Sequence, residues 1–386
     1  MKRFFRVLRL TLVGILVFSF LLTSFTKFIR YPDPVSAVRL ALAPASKTPT
    51  LMPAHLIAPA ASPTKWARAA EPMPATVPWN GSTLTFQEFL TKTNTNAFIV
   101  VRDGAITWEY YKPGIKESTQ LPSYSVAKTM TSILIGKLVG EGKVSESDTF
   151  VKFFPQYKTG GLFDQVTIQS LLDMESGVGV SDNYPTGPSG WGVGIAQMYA
   201  TTDMNWFVTH NRKMFEAPDT KPDYRSVNTQ LLGMIIHKVT GMRVADYFSE
   251  SVWQPIGAQY PATWNVDRVG GQEKTFCCFN ASARDYAKVG VAMVNGGKVG
   301  ARQIISSAWM ERISTPAVKL DHQWGYGAQV WHPYPGINLA LGLHGQYIFT
   351  DPATKTVIIK LSDNATNDDP EVATAAVLLQ IDQNRL

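Results

Sequence analysis

Strand-like segments at both ends of one long globular stretch, with helical segments between them, constrain the fold of this chain most strongly. "NAFIVVRDGAITWEYYKPG" alternates apolar and polar residues on both sides of Asp103-Gly104, a dipeptide that favours a tight hairpin turn. Near the other end, "WGYGAQVWHPY", "INLALGLHGQYIFTDP" and "KTVIIKLSD" predict three consecutive antiparallel strands, followed by a final helix in "EVATAAVLLQIDQ". We therefore expect an α/β (α+β) fold with one antiparallel sheet made from the N- and C-terminal parts, flanked by helices and a helical insertion.

The stretch between these strands has helical character. "SVAKTMTSILIGKLVGEGKV" places Val126, Met130 and Ile133 at helical spacing and ends at Gly140 and Gly142, as a helix with a glycine stop should. Residues 145–320 are mostly helical patches between loops rich in glycine and proline, including "NTQLLGMIIHKVTG" and "ASARDYAKVGVAMVNGG".

The first 30 residues form a separate, membrane-like segment. An uncharged and mostly apolar run of 17 residues, 10–26, lies between basic flanks, near the lower limit for crossing hydrocarbon. It is longer than most cleavable signal cores, and no small-x-small cleavage site follows directly. We predict a cytoplasmic tail at 1–9 and a transmembrane signal anchor at 10–26; a cleaved signal peptide and a buried core helix are the alternatives.

The charge distribution supports the same prediction. Six basic residues and no acidic residue lie within residues 1–30, and four of the six precede the apolar run, which places the N-terminus in the cytoplasm. The prediction is a single-pass protein of the inner (cytoplasmic) membrane with its main domain on the exported, periplasmic side. Because the whole chain carries a net charge of +6, residues 31–386 carry 6 − 6 = 0, so we expect no nucleic-acid partner.

Two further features bear on organisation. Residues 31–79 contain ten of the 24 prolines and show no sustained strand or helix pattern, so we predict a Pro/Ala-rich linker there and a globular domain at 80–386. Cys277 and Cys278 are adjacent and are the only cysteines, which excludes a loop-closing disulfide framework and favours two small buried thiols.

Ser125 and Lys128 are the first candidates for chemistry. They lie three residues apart at the predicted start of a helix, so the ammonium can reach the hydroxyl. The helix N-terminus offers N–H groups to a developing oxyanion, and a lysine in an apolar site can act as a base. The spacing itself is weak, because "SFTK" and "SPTK" repeat it in the membrane segment and the linker. Taken alone, Ser125 can equally be a plain helix cap.

A family resemblance strengthens the catalytic reading. The blocks "SYSVAKTMTSILIGKLVGEGKV", "VTIQSLLDMESGVG", "PDYRSVNTQLLGMIIHKVTG", "ASARDYAKVGVAMVNGG" and "LGLHGQYIFTDP" occur in this order. Together they resemble the serine hydrolases of the beta-lactamase-related, penicillin-recognising superfamily, above all the branch of 6-aminohexanoate-oligomer hydrolases and family VIII esterases. The resemblance covers roughly residues 85–386 and implies the beta-lactamase/transpeptidase-like fold.

The resemblance also implies roles for individual residues. Ser125 matches the nucleophile that forms the acyl-enzyme, and Lys128 matches the lysine that helps to deprotonate it. Tyr224 matches the tyrosine of the second motif, whose phenol can share a proton with the lysine. In the third motif, Gly345 would let the acyl group approach the backbone, and the N–H of Gln346 would complete the oxyanion hole with that of Ser125.

Two departures from the superfamily pattern shape the expected substrate. Tyr224 is followed two residues later by Ser226 rather than by asparagine, with Asn228 further on. The lysine of the third motif, which pairs with a substrate carboxylate in beta-lactamases, is replaced by His344 or Leu343, depending on alignment. Both departures favour an esterase or amidase over an enzyme that destroys penicillin-like antibiotics, with His344 and Gly345 in contact with substrate.

Several motifs compete with this assignment. The letters of the third motif also occur at 158–160, and those of an alternative second motif at 181–183. We interpret both as accidental matches, while Ser181 remains an alternative to Tyr224. Tyr184, with Trp191 near it, is expected to cover the pocket and contact substrate.

The sequence therefore predicts a serine hydrolase that cleaves a small or short-oligomer carboxylic ester or amide through an acyl-enzyme. No cofactor and no metal is expected, because no metal-ligand, phosphate-loop or paired-carboxylate motif occurs. A D-aminopeptidase or peptidoglycan peptidase is the alternative within the enzymes. A non-catalytic penicillin-binding-like module that holds a ligand is the alternative outside them.

Overall fold

The computed structural model of the protein describes residues 2–182, 194–363 and 371–384. Within these ranges the strands are β1 (Ala54–Ile57), β2 (Ala67–Arg68), β3 (Thr76–Trp79), β4 (Ser82–Thr85), β5 (Thr95–Arg102), β6 (Ala105–Tyr111), β7 (Leu121–Pro122), β8 (Ala262–Asn265), β9 (Phe279–Ala281), β10 (Lys298–Val299), β11 (Arg302–Gln303), β12 (Val318–Lys319), β13 (Gly325–Gly327), β14 (Val330–His332), β15 (Asn338–Gly342), β16 (Gln346–Asp351) and β17 (Thr356–Ser362).

The α-helices of the same ranges are α1 (Lys2–Phe28), α2 (Pro34–Leu42), α3 (Phe86–Lys92), α4 (Val126–Gly140), α5 (Phe150–Phe153), α6 (Ile168–Leu172), α7 (Gly194–Ala200), α8 (Met204–His210), α9 (Ser226–Thr240), α10 (Val244–Phe248), α11 (Ala283–Val294), α12 (Ser307–Ser314) and α13 (Glu371–Gln383). Shorter helical turns occupy Ala45–Thr50, Pro155–Tyr157, Leu162–Gln165, Ser249–Trp253 and Asp321–Gln323.

A nine-stranded sheet in the order β12-β13-β14-β15-β16-β17-β5-β6-β2 forms the centre of the fold. β17, from the C-terminal part, pairs antiparallel with β5 from the N-terminal part, which confirms the prediction that both ends of the domain build one sheet. Phe98 and Val100 of β5 pack in one core with Leu378 of α13. The alternate residues, Ile99 and Val101, pack in a second core on the opposite face, so both faces of the sheet are covered.

The strand count near the C-terminus corrects the prediction of three strands. Five strands, β13 to β17, form consecutive antiparallel pairs. Ala328 and Gln329, between β13 and β14, have positive φ angles of 46° and 65°, and His344 and Gly345, between β15 and β16, have 64° and 80°. Backbone in this left-handed region turns the chain back, so two of the predicted strands are hairpins.

The helix predicted at Ser125 forms as α4 and lies in the middle of the domain. Polar residues on it, including Lys128 and Thr131, are as buried as its apolar residues. Gly136 allows this central position, because a Cβ atom there would overlap the ring of Trp309 on α12. Since α4 is packed on all sides, the position of its first turn is fixed by the core.

The prediction of a linker over 31–79 is corrected by the structure. β1 pairs antiparallel with β8, and the side-chain amide of Asn265 donates to the carbonyls of Pro49 and Met52 at 3.0 and 3.1 Å. Pro34 takes the first position of α2, where proline is tolerated. The four-residue β1 is too short to show an alternating pattern, and its pairing partner is more than 200 residues away in the sequence, so local reasoning could not find it.

The cysteines also differ from expectation. Cys277 and Cys278 are buried as predicted, but they are joined to each other by a disulfide rather than remaining thiols. The bond closes no loop of the chain, in agreement with the expected lack of a disulfide framework.

The N-terminal helix α1 stands outside the folded part along most of its length. The most apolar 18-residue stretch within Arg3–Phe28 has a mean hydropathy of 2.1, and none of that stretch is buried. By length and composition this helix is sufficient to cross a membrane, as a membrane anchor or as a signal sequence.

Candidate active site

A cleft of about 580 Å³ opens beside the N-terminus of α4. Ser125 lies in it, and the far end of β15 forms one wall through Leu341, Gly342 and Leu343. Lys221–Tyr224, the segment before α9, forms the opposite wall. Trp331 of β14 and Glu371 of α13 also line the cleft, so segments from distant parts of the sequence surround one serine.

Ser125 is the first residue before α4, but its side chain does not act as a helix cap. Instead its Oγ lies 2.8 Å from the Nζ of Lys128. A cap would direct Oγ to the backbone N–H groups of the first turn. The hydroxyl therefore contacts the lysine and not the helix backbone, and the role of Ser125 as nucleophile stays a prediction.

Lys128 is held by a second contact and by burial. Its Nζ donates to the carbonyl oxygen of Phe276 at 3.0 Å, and the side chain is 1% exposed. Burial disfavours the charged ammonium and lowers the pKa of Lys128 to about 7, while the negative charge of Asp182 opposes this shift. Near neutral pH a large fraction of this lysine is thus free of its extra proton and able to accept one.

Tyr224 completes the group around the lysine. The Nζ of Lys128 lies 4.9 Å from the centre of its ring. The ring stacks on Trp331 at a centroid distance of 5.5 Å and meets Tyr326 edge to face at 6.0 Å. Aromatic neighbours on two sides fix the orientation of this side chain, and it lines the cleft together with Ser125.

Asp182 is a cleft residue that the sequence reasoning missed. Its carboxylate accepts hydrogen bonds from the backbone N–H and the hydroxyl of Ser226, at 2.8 and 2.5 Å. It thereby holds the first turn of α9, directly after Tyr224. Burial raises the pKa of Asp182, and the positive charge of Lys128 acts against this rise. The match to a second motif at 181–183 was interpreted as accidental, yet the aspartate of that triplet lines the cleft.

Gly342 explains how β15 comes so close to the nucleophile. A Cβ atom on Gly342 would overlap the carbonyl oxygen of Ser123 and lie 3.1 Å from the backbone nitrogen of Ser125. Only a residue without a side chain lets the strand pass here. Sequence analysis directed attention to Gly345 instead, and "LGLHG" offers a second glycine whose role depends on a contact across the fold.

Comparison with known proteins places this geometry in a family. The family model described as Beta-lactamase matches residues 85–382, which is more than half of the chain. The chain belongs to the beta-lactamase family. The 6-aminohexanoate-dimer hydrolase of Paenarthrobacter ureafaciens is 26% identical over 304 residues, covering 72% of this chain and 74% of the relative.

Two solved structures show the same fold. One is the protein called "Putative 6-aminohexanoate-dimer hydrolase from Bacillus anthracis", with a TM-score of 0.78 and 24% identity, covering 91% of this chain and 95% of the other. The second is a family VIII carboxylesterase with a TM-score of 0.59 and 17% identity, covering 76% and 94%. This member of the beta-lactamase family is a serine hydrolase related to ester- and amide-cleaving enzymes, as the sequence predicted.

The predicted third-motif residues of this beta-lactamase-family protein lie beside the cleft. His344 packs against the ring of Tyr124 at a centroid distance of 4.8 Å. The side-chain amide of Gln346 donates to the carbonyls of His344 and Ser362 at 3.0 and 2.8 Å, which holds the hairpin turn. Among the described residues the cleft lining includes Leu341–Leu343 but not 344–346. Substrate contact by His344 and Gly345, and the oxyanion role of Gln346, stay predictions.

The remaining candidate residues lie either away from the cleft or outside the residues that the structure describes. Tyr184 and Trp191 lie outside the described residues. The accidental third motif forms a turn in which the N–H groups of Thr159 and Gly160 donate to the carboxylate of Asp164, on the exposed surface. In the part of the chain that the structure describes, no cluster of three or more His, Cys, Asp or Glu side chains is placed to hold a metal ion.

Proposed function

We propose that this protein is a membrane-anchored esterase or amidase in which Ser125 forms the acyl-enzyme, Lys128 accepts its proton and Tyr224 assists the transfer. The contact between Ser125 Oγ and Lys128 Nζ at 2.8 Å carries the proposal. The same lysine is buried and has a pKa near 7. A lysine of this kind is a base at neutral pH, whereas an exposed lysine is fully protonated there.

In the first step, Ser125 Oγ attacks the carbonyl carbon of the substrate. Its proton passes to neutral Lys128, and a C–O bond forms as the carbonyl becomes an oxyanion. The tetrahedral intermediate then collapses and expels an alcohol or amine, which takes up a proton. The Nζ of Lys128 lies 4.9 Å from the centre of the Tyr224 ring, and we assign to the phenol of Tyr224 the transfer of that proton to the leaving group.

The backbone near Ser125 supplies the electrostatic stabilisation. The N–H of Ser125 lies at the N-terminus of α4, where the helix dipole favours negative charge. We assign the second N–H of the oxyanion hole to Gln346, which pairs with Gly342 across the hairpin. Water then attacks the acyl-enzyme, and the proton returns along the same groups. Each step uses only side chains and backbone of this chain, together with water.

The cleft favours substrates without a recognised carboxylate. Leu343, which with His344 is one of the two candidates for the position of the third-motif lysine, lines the cleft. The lining contains the carboxylates of Asp182, Asp223, Asp321 and Glu371 against the ammonium groups of two lysines. An excess of negative charge repels anionic substrates. We therefore propose neutral or cationic esters and amides as the substrate class.

We further propose that α1 is retained as a signal anchor of the inner membrane and that the folded part lies on the exported side. The helix is sufficiently long and apolar, and the larger number of basic residues lies before the apolar run. Protease protection of membrane vesicles, with detection of the C-terminus, tests the orientation. A C-terminus protected from protease in inside-out vesicles and digested in spheroplasts is the expected result.

Hydrolysis of p-nitrophenyl butyrate and of short amide oligomers by the full chain in detergent tests the activity. Ser125→Ala should reduce the rate to the uncatalysed level. Ser132→Ala is the matched control, because Ser132 is a buried serine two turns along the same helix and should keep the activity. Equal activity in the wild type and in Ser125→Ala would exclude the proposed nucleophile.

A further inference from the structure

An apolar groove of about 550 Å³ lies where α1 meets the folded part, on a different part of the surface from the catalytic cleft. α1 contributes Leu22 and Phe25, Ile29 follows its last residue, α2 contributes Ala37 and Val38, and α8 contributes Phe207. The groove thus combines residues of the membrane-like helix with residues of the domain.

The end of α1 is fixed to the domain by hydrogen bonds. The backbone N–H and the hydroxyl of Thr202 donate to the carbonyl of Arg30 at 2.7 and 3.1 Å. Arg268 in turn donates to the carbonyl of Thr202 at 3.0 Å. These contacts hold the domain at the end of the helix, so that the tether expected from the sequence is absent and the groove must open at the membrane surface.

We propose that this groove holds one acyl chain of a phospholipid from the bilayer that α1 crosses. The inference goes beyond the hydrolase activity and rests on the proposed anchoring of α1. Leu22 and Phe25 belong to the apolar run itself, whose other faces are exposed. The groove is therefore continuous with a surface that hydrocarbon chains already cover in a membrane.

Two aromatic residues of the groove are of the types found at the boundary between the hydrocarbon core and the headgroups. Tyr31 and Trp206 are among its lining residues, and these two residue types are enriched where hydrocarbon meets the headgroups. Burial raises the pKa of Tyr31 to about 12. An acyl chain that enters between α1 and α8 would therefore leave its glycerol and phosphate beside the aromatic pair.

Positive charge is available for the phosphate. Lys27, Arg30 and Arg39 are exposed on the segments that form the groove. Asp33, the acidic residue between them in the sequence, accepts hydrogen bonds from the N–H groups of Val35 and Ser36 at the start of α2. Phosphate on a lipid headgroup thus meets a basic surface.

The size of the groove favours an acyl chain over a protein segment. A helix with its side chains is about 10–12 Å across, so a helix of a second copy would need far more than 550 Å³. The volume lies within the range of about 300–1,000 Å³ that is typical of small-ligand sites.

A bound chain would also contact the segment that leads to the catalytic cleft. Gln197 and Thr201 line the groove, and the N–H of Ile195, at the start of α7, donates to the carbonyl of Ser181 at 3.0 Å, one residue before Asp182. α7 therefore lines the groove through Gln197 and is bonded through Ile195 to the residue before Asp182 of the cleft.

Photo-crosslinking of the full chain tests the proposal. The protein is reconstituted in phosphatidylcholine and phosphatidylglycerol vesicles with a trace of phospholipid that carries a diazirine at the end of one acyl chain. We expect crosslinks to residues 34–38 and 197–207 in addition to those along α1. Ala37→Phe, which fills the groove, should reduce the crosslinks to 197–207 at least fivefold. Val35→Phe, which introduces the same ring at an exposed position of α2, should leave them unchanged.

Other outcomes overturn the proposal. These are crosslinks confined to α1 in the wild type, equal yields in Ala37→Phe and Val35→Phe, or loss of α1 from the protein purified from membranes. Labelling by a diazirine fatty acid but not by the phospholipid would exclude a phospholipid as the occupant. If Ala37→Phe does not fold, Val38→Trp at the half-exposed rim replaces it. Fluorophosphonate labelling of Ser125 in the same samples reports the hydrolase function separately.

Discussion

Lys128 and Lys274 are both fully buried lysines, and in both the cost of burial lowers the pKa to about 7. Their surroundings differ. Lys128 contacts a serine hydroxyl at the edge of an open cleft. Lys274 donates to the carbonyl oxygens of Tyr199 and Thr201, the latter at 3.1 Å, and in the described part of the chain neither of these partners lines the catalytic cleft, whereas Ser125 does.

The comparison shows that a shifted pKa does not by itself mark a catalytic lysine. Desolvation acts on any buried ammonium. Only Lys128 combines that shift with a nucleophile within hydrogen-bond distance and a space where substrate can bind. Lys274 ties α7 to the segment that carries Phe276, whose carbonyl positions Lys128. One lysine is thus assigned to chemistry and the other to structure.

The largest expected effect is a difference in kcat between variants of Lys128 and of Lys274. Lys128→Met should lower kcat for p-nitrophenyl butyrate by about 10³-fold or more, because the base that accepts the proton of Ser125 is lost. Lys274→Met should keep kcat within about threefold, measured per folded molecule, because its contacts lie away from the cleft. A comparable loss of kcat in both variants would break the comparison.

Tyr224 gives the next largest effect. Tyr224→Phe keeps the stacking on Trp331 and removes the phenol, so kcat should fall about 10²-fold through loss of the proton transfer. Tyr326→Phe is the control, because Tyr326 packs in the same aromatic group but its buried hydroxyl has no hydrogen-bond partner among the described residues. Steady-state kinetics that show equal effects in both variants would assign Tyr224 a packing role only.

The pH dependence sharpens the role of Lys128. Because the base must be neutral, kcat/KM should rise with pH through about 7. Asp182 raises the pKa of Lys128, so Asp182→Asn should move this rise to lower pH, by roughly 0.5–1 unit. Asp223→Asn is the control, since Asp223 pairs with Arg225 and should leave the midpoint in place. A midpoint that does not move in Asp182→Asn would remove this aspartate from the electrostatics of the site.

Lys274 gives the smallest effect, on stability. Burial lowers the pKa of Lys274 from its ordinary value of 10.5 to about 7 in the folded protein, so the unfolded chain binds more protons between these two pH values. The free energy of unfolding of the wild type, relative to that of Lys274→Met, should therefore rise by on the order of 1–4 kcal/mol as the pH rises from about 7 to about 10.5. The same stability is lost as the pH falls through this window. Lys238→Met, at an exposed position, should show no such trend in urea unfolding. A difference in unfolding free energy between the wild type and Lys274→Met that does not change with pH would contradict the burial of Lys274.

Local sequence signals predicted the parts of the fold and site that depend on neighbours in the chain. The helix start brings Ser125 and Lys128 together because three residues make almost one turn. The Asp103-Gly104 turn forms as predicted, with φ angles of 47° and 80° and a hairpin between β5 and β6. Tyr224 was found only through the family resemblance, since no local pattern links it to α4.

Contacts between distant segments could not be read from the sequence. Gly342 matters because its strand passes the backbone of Ser123 and Ser125. Asp182 matters because it reaches Ser226, 44 residues later. The segment of β1 was predicted as linker because β8, the strand with which it pairs, is distant in the sequence. In each case the residue type is ordinary, and the function follows from a packing partner that only the folded chain supplies.

Intact-protein mass spectrometry after treatment with a fluorophosphonate probe tests the central claim most directly. The full chain in detergent is compared with Ser125→Ala, Lys128→Met and Lys274→Met. The account predicts one adduct on the wild type and on Lys274→Met, none on Ser125→Ala, and much slower labelling of Lys128→Met. An adduct on Ser125→Ala, or a folded wild type that no probe labels, would contradict the assignment of Ser125 as a nucleophile activated by Lys128.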